Sequence, residues 1–211
     1  MKQLRIPPLL IDIVQSGLLI CDGIVFDNRD TCPLCGGSLS GYDTKKKQFC
    51  ILREDEKLRA VHVFVKRFTC RQCRTLCYAD EPFYPDTRMG SPLVDLCVTL
   101  STRMPFYRAT VFIEHLGIHI DRGTIRNYAR RSYPDVTTTD LFGIHLPLSI
   151  LSLSELAVRS GEGGCIEGTE ALAACGFPSA YRAAPNHLPA PEQGNPRKEE
   201  ENKEEQQAYP P

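Results

Sequence analysis

The chain has 211 residues, a formal net charge of −1, 42% hydrophobic residues, no Trp and ten Cys. That length allows one domain or two small ones, and no apolar run approaches the roughly 18 residues of a membrane span, so no membrane partner is expected. The small net charge hides an asymmetry: residues 31–135 carry 17 Lys+Arg against 11 Asp+Glu, whereas residues 136–211 carry 5 against 11. A basic middle suits a nucleic-acid partner, and the plainer alternative is a solvated surface.

Residues 1–30 are a lead-in with one expected helix, from Leu9 to Ile20. Asp12 interrupts the apolar stretch "PPLLIDIVQSGLLI", and no small-residue cleavage site follows it. A cytoplasmic protein without a signal peptide is therefore expected. Residues 31–85 carry two C-x-x-C pairs and strand patterns. Val61, Val63 and Val65 alternate, which is the period-two signal of a strand. An earlier strand is expected around Gln48–Leu52, with Arg53–Lys57 as the polar turn between them.

The pairs are Cys32-Pro33-Leu34-Cys35 and Cys70-Arg71-Gln72-Cys73, with 34 residues between them. Zinc prefers four tetrahedral ligands, and four thiolates close a structural site. Two-residue spacing lets both sulfurs of a pair face one ion, and Gly36 and Gly37 allow the tight turn behind the first pair. The room between the pairs suits a hairpin, which is the layout of a zinc ribbon. One structural Zn²⁺ held by Cys32, Cys35, Cys70 and Cys73 is expected.

Other ligands compete. Cys77 lies four residues after Cys73 and could substitute for it or stay a spare thiol. Cys50 sits in a strand pattern. Cys21, Cys97, Cys165 and Cys175 have no partner at ligand spacing and read as small buried hydrophobes. A disulfide scaffold fits an intracellular chain poorly, and thiol exchange needs no second matched pair. His115 and His119 are four apart, but Gly117 between them argues against one continuous helix face.

Residues 91–134 switch to helical period. Ser91-Pro92 reads as a cap with Pro at the first helical position, and Leu93, Leu96, Cys97 and Leu100 share a face. A second helix is expected over Phe106–Leu116, ended by Gly117. A third is capped by Asp121 and reaches about Arg131. On that third helix Arg122, Gly123, Arg126, Asn127, Arg130 and Arg131 share one half, and Thr124, Ile125, Tyr128 and Ala129 the other. A helix offering Arg and Asn on one side can contact phosphates and base edges, and two helices joined by a Gly-containing turn read as a helix-turn-helix. Arg126 and Asn127 are placed to read bases, Arg122 and Arg130 to hold phosphate. Lys45, Lys46, Lys47, Lys66 and Arg67 would add phosphate contacts, their alternative being a solvated face.

Residues 135–182 give a weak signal, in which "DLFGIHLPLSILSLSELAV" could form one helix. Residues 183–211 are mostly Pro, Glu, Lys, Gln and Asn and are expected to be disordered. The expected fold class is α+β: a small antiparallel zinc ribbon, then an all-α helix-turn-helix, then a partly disordered acidic tail.

Several stretches bear a family likeness. "CPLCGG", "VHVFVKRFTCRQC", "SPLVDLCVTLSTRMPFYR" and "PFYRATVFIEHLGIHIDRGTIRNYAR" resemble, in that order, the zinc-finger and helical DNA-binding region of the insertion sequence 66 family of transposases. The resemblance covers about residues 31–131. It implies zinc ligation by Cys32, Cys35, Cys70 and Cys73, and DNA contact by the helix holding Arg122, Thr124, Ile125 and Asn127. Double-stranded DNA at transposon ends is the implied partner, with a second copy or a full-length transposase as further candidates, in the cytoplasm at the nucleoid. Two departures stand out. Tyr128 replaces the usual Trp, and the Asp-Glu-Thr opening of the family's catalytic domain is missing, since Asp140 has no Glu-Thr after it. The expectation is therefore a truncated or stand-alone DNA-binding protein, not an enzyme. A protein-interaction module or a transcriptional regulator is the rival.

Overall fold

The computed structural model describes residues 6–54, 57–161 and 166–177. The first helix, α1 (Pro8–Leu19), starts on two prolines, and Leu10, Val14 and Leu18 at four-residue spacing are its buried stripe. Strand β1 (Val25–Phe26) follows. Two long strands, β2 (Leu39–Glu54) and β3 (Lys57–Cys70), then form an antiparallel ladder from Leu39↔Cys70 to Glu54↔Lys57. Both strands outrun their expected lengths. Only the valine run had a clean alternation, because β2 carries register shifts at Gly41/Asp43 and Gln48/Cys50 that break its period. β1 pairs parallel and β4 (Leu76–Tyr78) antiparallel with β3, so β3 is the central strand. Val61, Val63 and Val65 are fully buried.

Helix α2 (Ser91–Arg103) is buried almost all round, from Ser91 to Cys97 without a break. Such a helix is the centre of a helical layer rather than its surface. Helices α3 (Phe106–His115) and α4 (Arg122–Ala129) pack beside it. The turn between them reads "GIHI", and it belongs to the sheet. Arg53 N–H bonds Gly117 O at 2.7 Å, His119 N–H bonds Ile51 O at 2.9 Å, and Leu52 and Ile118 form an antiparallel bridge. Four residues are used there because they cover β2's outer edge, which would otherwise leave strand groups unpaired.

Residues 140–158 do not form one helix. β5 (Thr138–Leu141) and β6 (Ile144–Pro147) make a hairpin, and α5 (Leu148–Ser160) follows. The turn residues Phe142 and Gly143 have φ of 55° and 74°, the conformation that two-residue hairpins need and helices exclude. A short helix α6 (Gly168–Ala174) opens with a reciprocal capping box between Glu167 and Glu170. The segment expected to be weakly structured thus holds a hairpin and two helices.

Gly17 shows why α1 is more than a lead-in. A Cβ there would lie 2.8 Å from Ile150 O and 3.0 Å from Ser154 N, so α1 and α5 touch backbone to backbone. One hydrophobic cluster draws on α1, the sheet and every later helix. A separate small cluster holds Cys32, Cys70 and Cys77, with Leu39 against it. Among the described residues the protein is mixed α+β, with six helices and mainly antiparallel sheets. None of those helices is long and apolar enough to cross a membrane. The tail over 183–211 lies outside the described residues.

Candidate metal centre and cationic helix

The two cysteine pairs fold into the same knuckle. In the first, Gly36 N–H bonds Cys32 O at 2.9 Å and Cys32 N–H bonds Gly37 O at 3.0 Å. In the second, Arg74 N–H bonds Cys70 O at 3.1 Å and Cys70 N–H bonds Thr75 O at 2.9 Å. Each ring thus closes four and five residues after its first cysteine. The residue at the fourth position is left-handed in both, Gly36 at φ 69° and Arg74 at φ 62°. The hairpin register brings the knuckles together, because Leu39, just after the first, pairs with Cys70, and Arg71 N–H bonds Ser38 O at 3.0 Å.

The sulfurs of Cys32, Cys35, Cys70 and Cys73 all lie within 4.8 Å of one another. Cys32 Sγ is 3.6 Å from Cys73 Sγ, and Cys35 Sγ is 3.5 Å from Cys70 Sγ. A tetrahedral ion with sulfur at ~2.3 Å sets its sulfurs ~3.8 Å apart, close enough to these separations that the four could hold one metal ion. Cys32 and Cys70 are buried, whereas Cys35 and Cys73 reach the surface. Cys77 is outside this mutual set, although its sulfur is 3.9 Å from Cys32 Sγ.

Protonation is divided among the thiols. Hydrogen bonds from the Thr75 side chain and backbone pull Cys73 down to about 6. Cys32 is also lowered: burial works against ionisation, and the Cys35 and Leu34 backbone groups outweigh it. Cys35 gains from the Gly37 backbone, but its bond to the Cys70 thiol and the other sulfurs push it up to about 12. Four thiolates this close cannot all ionise without a cation to offset their repulsion, which is the demand a bound divalent ion meets.

The other cysteines are buried: Cys21, Cys50 and Cys97 have no exposure and Cys175 has 2%. Cys165 lies outside the described residues.

The second candidate site is α4. Asp121 caps it, its side chain accepting the Thr124 N–H at 2.8 Å. Ile125 and Tyr128 are its buried residues, Thr124 and Ala129 are half-buried, and Arg122, Gly123, Arg126, Asn127, Arg130 and Arg131 are exposed. Among the described residues, Arg122, Arg126, Asn127 and Arg130 make no side-chain hydrogen bond or ion pair. Arg131 differs, because its Nη1 donates to Asp86 O at 2.7 Å.

The strand cations differ in their surroundings. Arg67 is held by Asp43, with Nε donating to Oδ1 at 2.6 Å and Nη2 to Oδ2, and it lies over the Tyr42 and Tyr78 rings. Lys47 pairs with Glu81 at 2.7 Å. Lys45 reaches Tyr78 Oη at 3.4 Å, Lys66 lies over Phe68, and Lys46 is exposed. Arg67 is thus tied into the hairpin by its pair with Asp43.

Arg88 is exposed in the loop before α2, and its backbone N–H bonds Tyr128 Oη at 3.4 Å. With the Arg131–Asp86 bond, this fastens the loop to the end of α4. Nothing in "PDTRMG" marks it, because the relation is tertiary. No protein-family model, no curated protein and no solved structure matches the chain.

Proposed function

We propose that this protein is a zinc-dependent DNA-binding protein, built as a zinc ribbon followed by a helix-turn-helix. In this reading it corresponds to the DNA-binding portion of an insertion sequence 66 transposase and recognises transposon-end DNA. The observation that carries the reading is the exposed half of α4, where Arg122, Arg126, Asn127 and Arg130 have no partner among the described residues. Arg67 and Arg131, by contrast, are held by a carboxylate and a carbonyl. Cations left unpaired on one helix face, beside an exposed Asn, suit a groove lined by phosphate and base edges. The pinned turn supports it too, since a helix that reads bases must be held rigidly. The cysteine cluster supports the ribbon part of the reading, because four mutually close sulfurs could hold a metal ion and zinc is the ion that four thiolates usually close around.

A rival reading is docking to a protein partner. Leu34, at the tip of the first knuckle, is 45% exposed and could anchor such a contact.

Salt separates the two. Titration of the purified protein on a duplex carrying the transposon end, and on a scrambled duplex, should give affinity that falls steeply with salt. The log–log slope falls by ~0.9 for each phosphate neutralised. Tighter binding to the cognate duplex supports the reading. Absence of duplex binding at low salt overturns it.

A further inference from the structure

We propose that Cys77 is a reserve ligand, able to complete a second four-sulfur set, Cys35, Cys70, Cys73 and Cys77, when Cys32 is lost or blocked. The proposal rests on the reading of the cysteine cluster as a metal site. The Cys77 sulfur is 3.9 Å from Cys32 Sγ, within the same small cluster of buried side chains. It is 3% exposed and its Sγ lies 3.7 Å from Thr75 O, so it points inward rather than to solvent. Strand β4 holds it there, with Cys77 opposite Phe68, two residues before the ligand Cys70.

The geometry also says why Cys77 is not a first choice. It lies outside the set of sulfurs that are all mutually within 4.8 Å. A χ1 change moves a cysteine sulfur by ~3 Å, a displacement comparable with the 3.9 Å between the Cys77 and Cys32 sulfurs. In the exchange the Cys77 thiol gives its proton to solvent, and its sulfur makes the metal–sulfur bond that the Cys32 thiolate would have made. Among the described residues no such reserve serves Cys35, whose sulfur neighbours there are all members of the first set.

The test is metal content after loading with excess Zn²⁺ and gel filtration, for the full chain and four variants. The wild type and Cys77→Ser should each keep about one equivalent. Cys32→Ser should also keep about one, Cys35→Ser should lose it, and Cys32→Ser/Cys77→Ser should lose it. Loading with Co²⁺ adds a second readout, because the thiolate-to-metal absorption of Cys32→Ser should match that of the wild type and fall in the double variant. A Cys32→Ser chain that loses metal or unfolds while the wild type binds and folds overturns the proposal alone. A wild type that takes up no metal overturns the metal reading and the proposal together.

Discussion

Arg74 stands in the second knuckle where Gly36 stands in the first. Both are four residues past the first cysteine of their pair, both are left-handed, and both donate their N–H to that cysteine's carbonyl. Glycine adopts this conformation freely, whereas another L-residue is strained there by ~1–2 kcal/mol. Glycine also makes the unfolded chain looser, which gives back part of the gain.

The first prediction follows from that pairing. Arg74→Gly should stabilise the metal-loaded protein by ~0.5–1 kcal/mol in a urea titration. Gly36→Ala should destabilise it by a similar amount. A destabilising Arg74→Gly would mean that the Arg74 side chain contributes more than its backbone strain costs.

Gly17 tests the shared core. Adding one methyl would press on the backbone of α5 at Ile150 and Ser154. Gly17→Ala should therefore cost ~1–3 kcal/mol, despite alanine's better helix propensity. Gly41→Ala is the control, because its Cβ would meet only the flexible end of Lys66, at 3.9 Å. Equal midpoints for the two variants would show that α1 and α5 do not pack this closely.

Asp95 makes stability depend on pH. It is buried on α2, accepting from Tyr84 Oη at 2.8 Å and from Ser149 Oγ at 3.4 Å. Burial outweighs those bonds and raises its carboxyl from 3.8 to about 6. The folded state then binds the proton more tightly than the unfolded chain does, so this contribution is complete below pH 3.8 and is lost as pH rises through 6. Asp95→Asn should add on the order of 2 kcal/mol at pH 7.5 and little at pH 4. A gain independent of pH would point to packing instead of ionisation.

Arg88 and Arg67 separate contact from scaffold. If the DNA reading holds, Arg88→Ala should reduce the salt slope of binding by about one and leave sequence preference unchanged. Arg88→Lys should restore the slope. Arg67→Ala should leave the slope intact and lower stability by ~1 kcal/mol or less, because its partner Asp43 is half in solvent. The reverse pattern would place the DNA on the hairpin.

If the cysteine cluster holds a metal, removing it should act locally. The cluster of Cys32, Cys70 and Cys77 is separate from the main hydrophobic core. Chelation should speed amide exchange over 31–39 and 70–78 far more than in α1, α2 or α5. Uniform loss of protection would show that the core depends on the metal.

Much of this was legible in the residues themselves. The two C-x-x-C pairs announced their cluster, because ligand spacing is a local property and thiol chemistry tolerates few other reasons for it. Pro92, Gly117 and Asp121 marked helix ends through backbone conformation and capping, which also act locally, although the N-cap of α2 is Gly90 and not the expected Ser91, and the split of α4 into packed and exposed halves followed from its period. What the sequence could not determine was everything set by distant contact. The register shifts at Gly41 and Gln48 hid most of β2. A turn at Phe142-Gly143 divided a stretch whose apolar content reads equally as helix or hairpin. Which arginines are free was also undecided, since Arg67 and Arg131 find partners 24 and 45 residues away and Arg88 meets Tyr128 across 40. Pairing of that kind depends on where two chain segments pack, and only the tertiary structure supplies it.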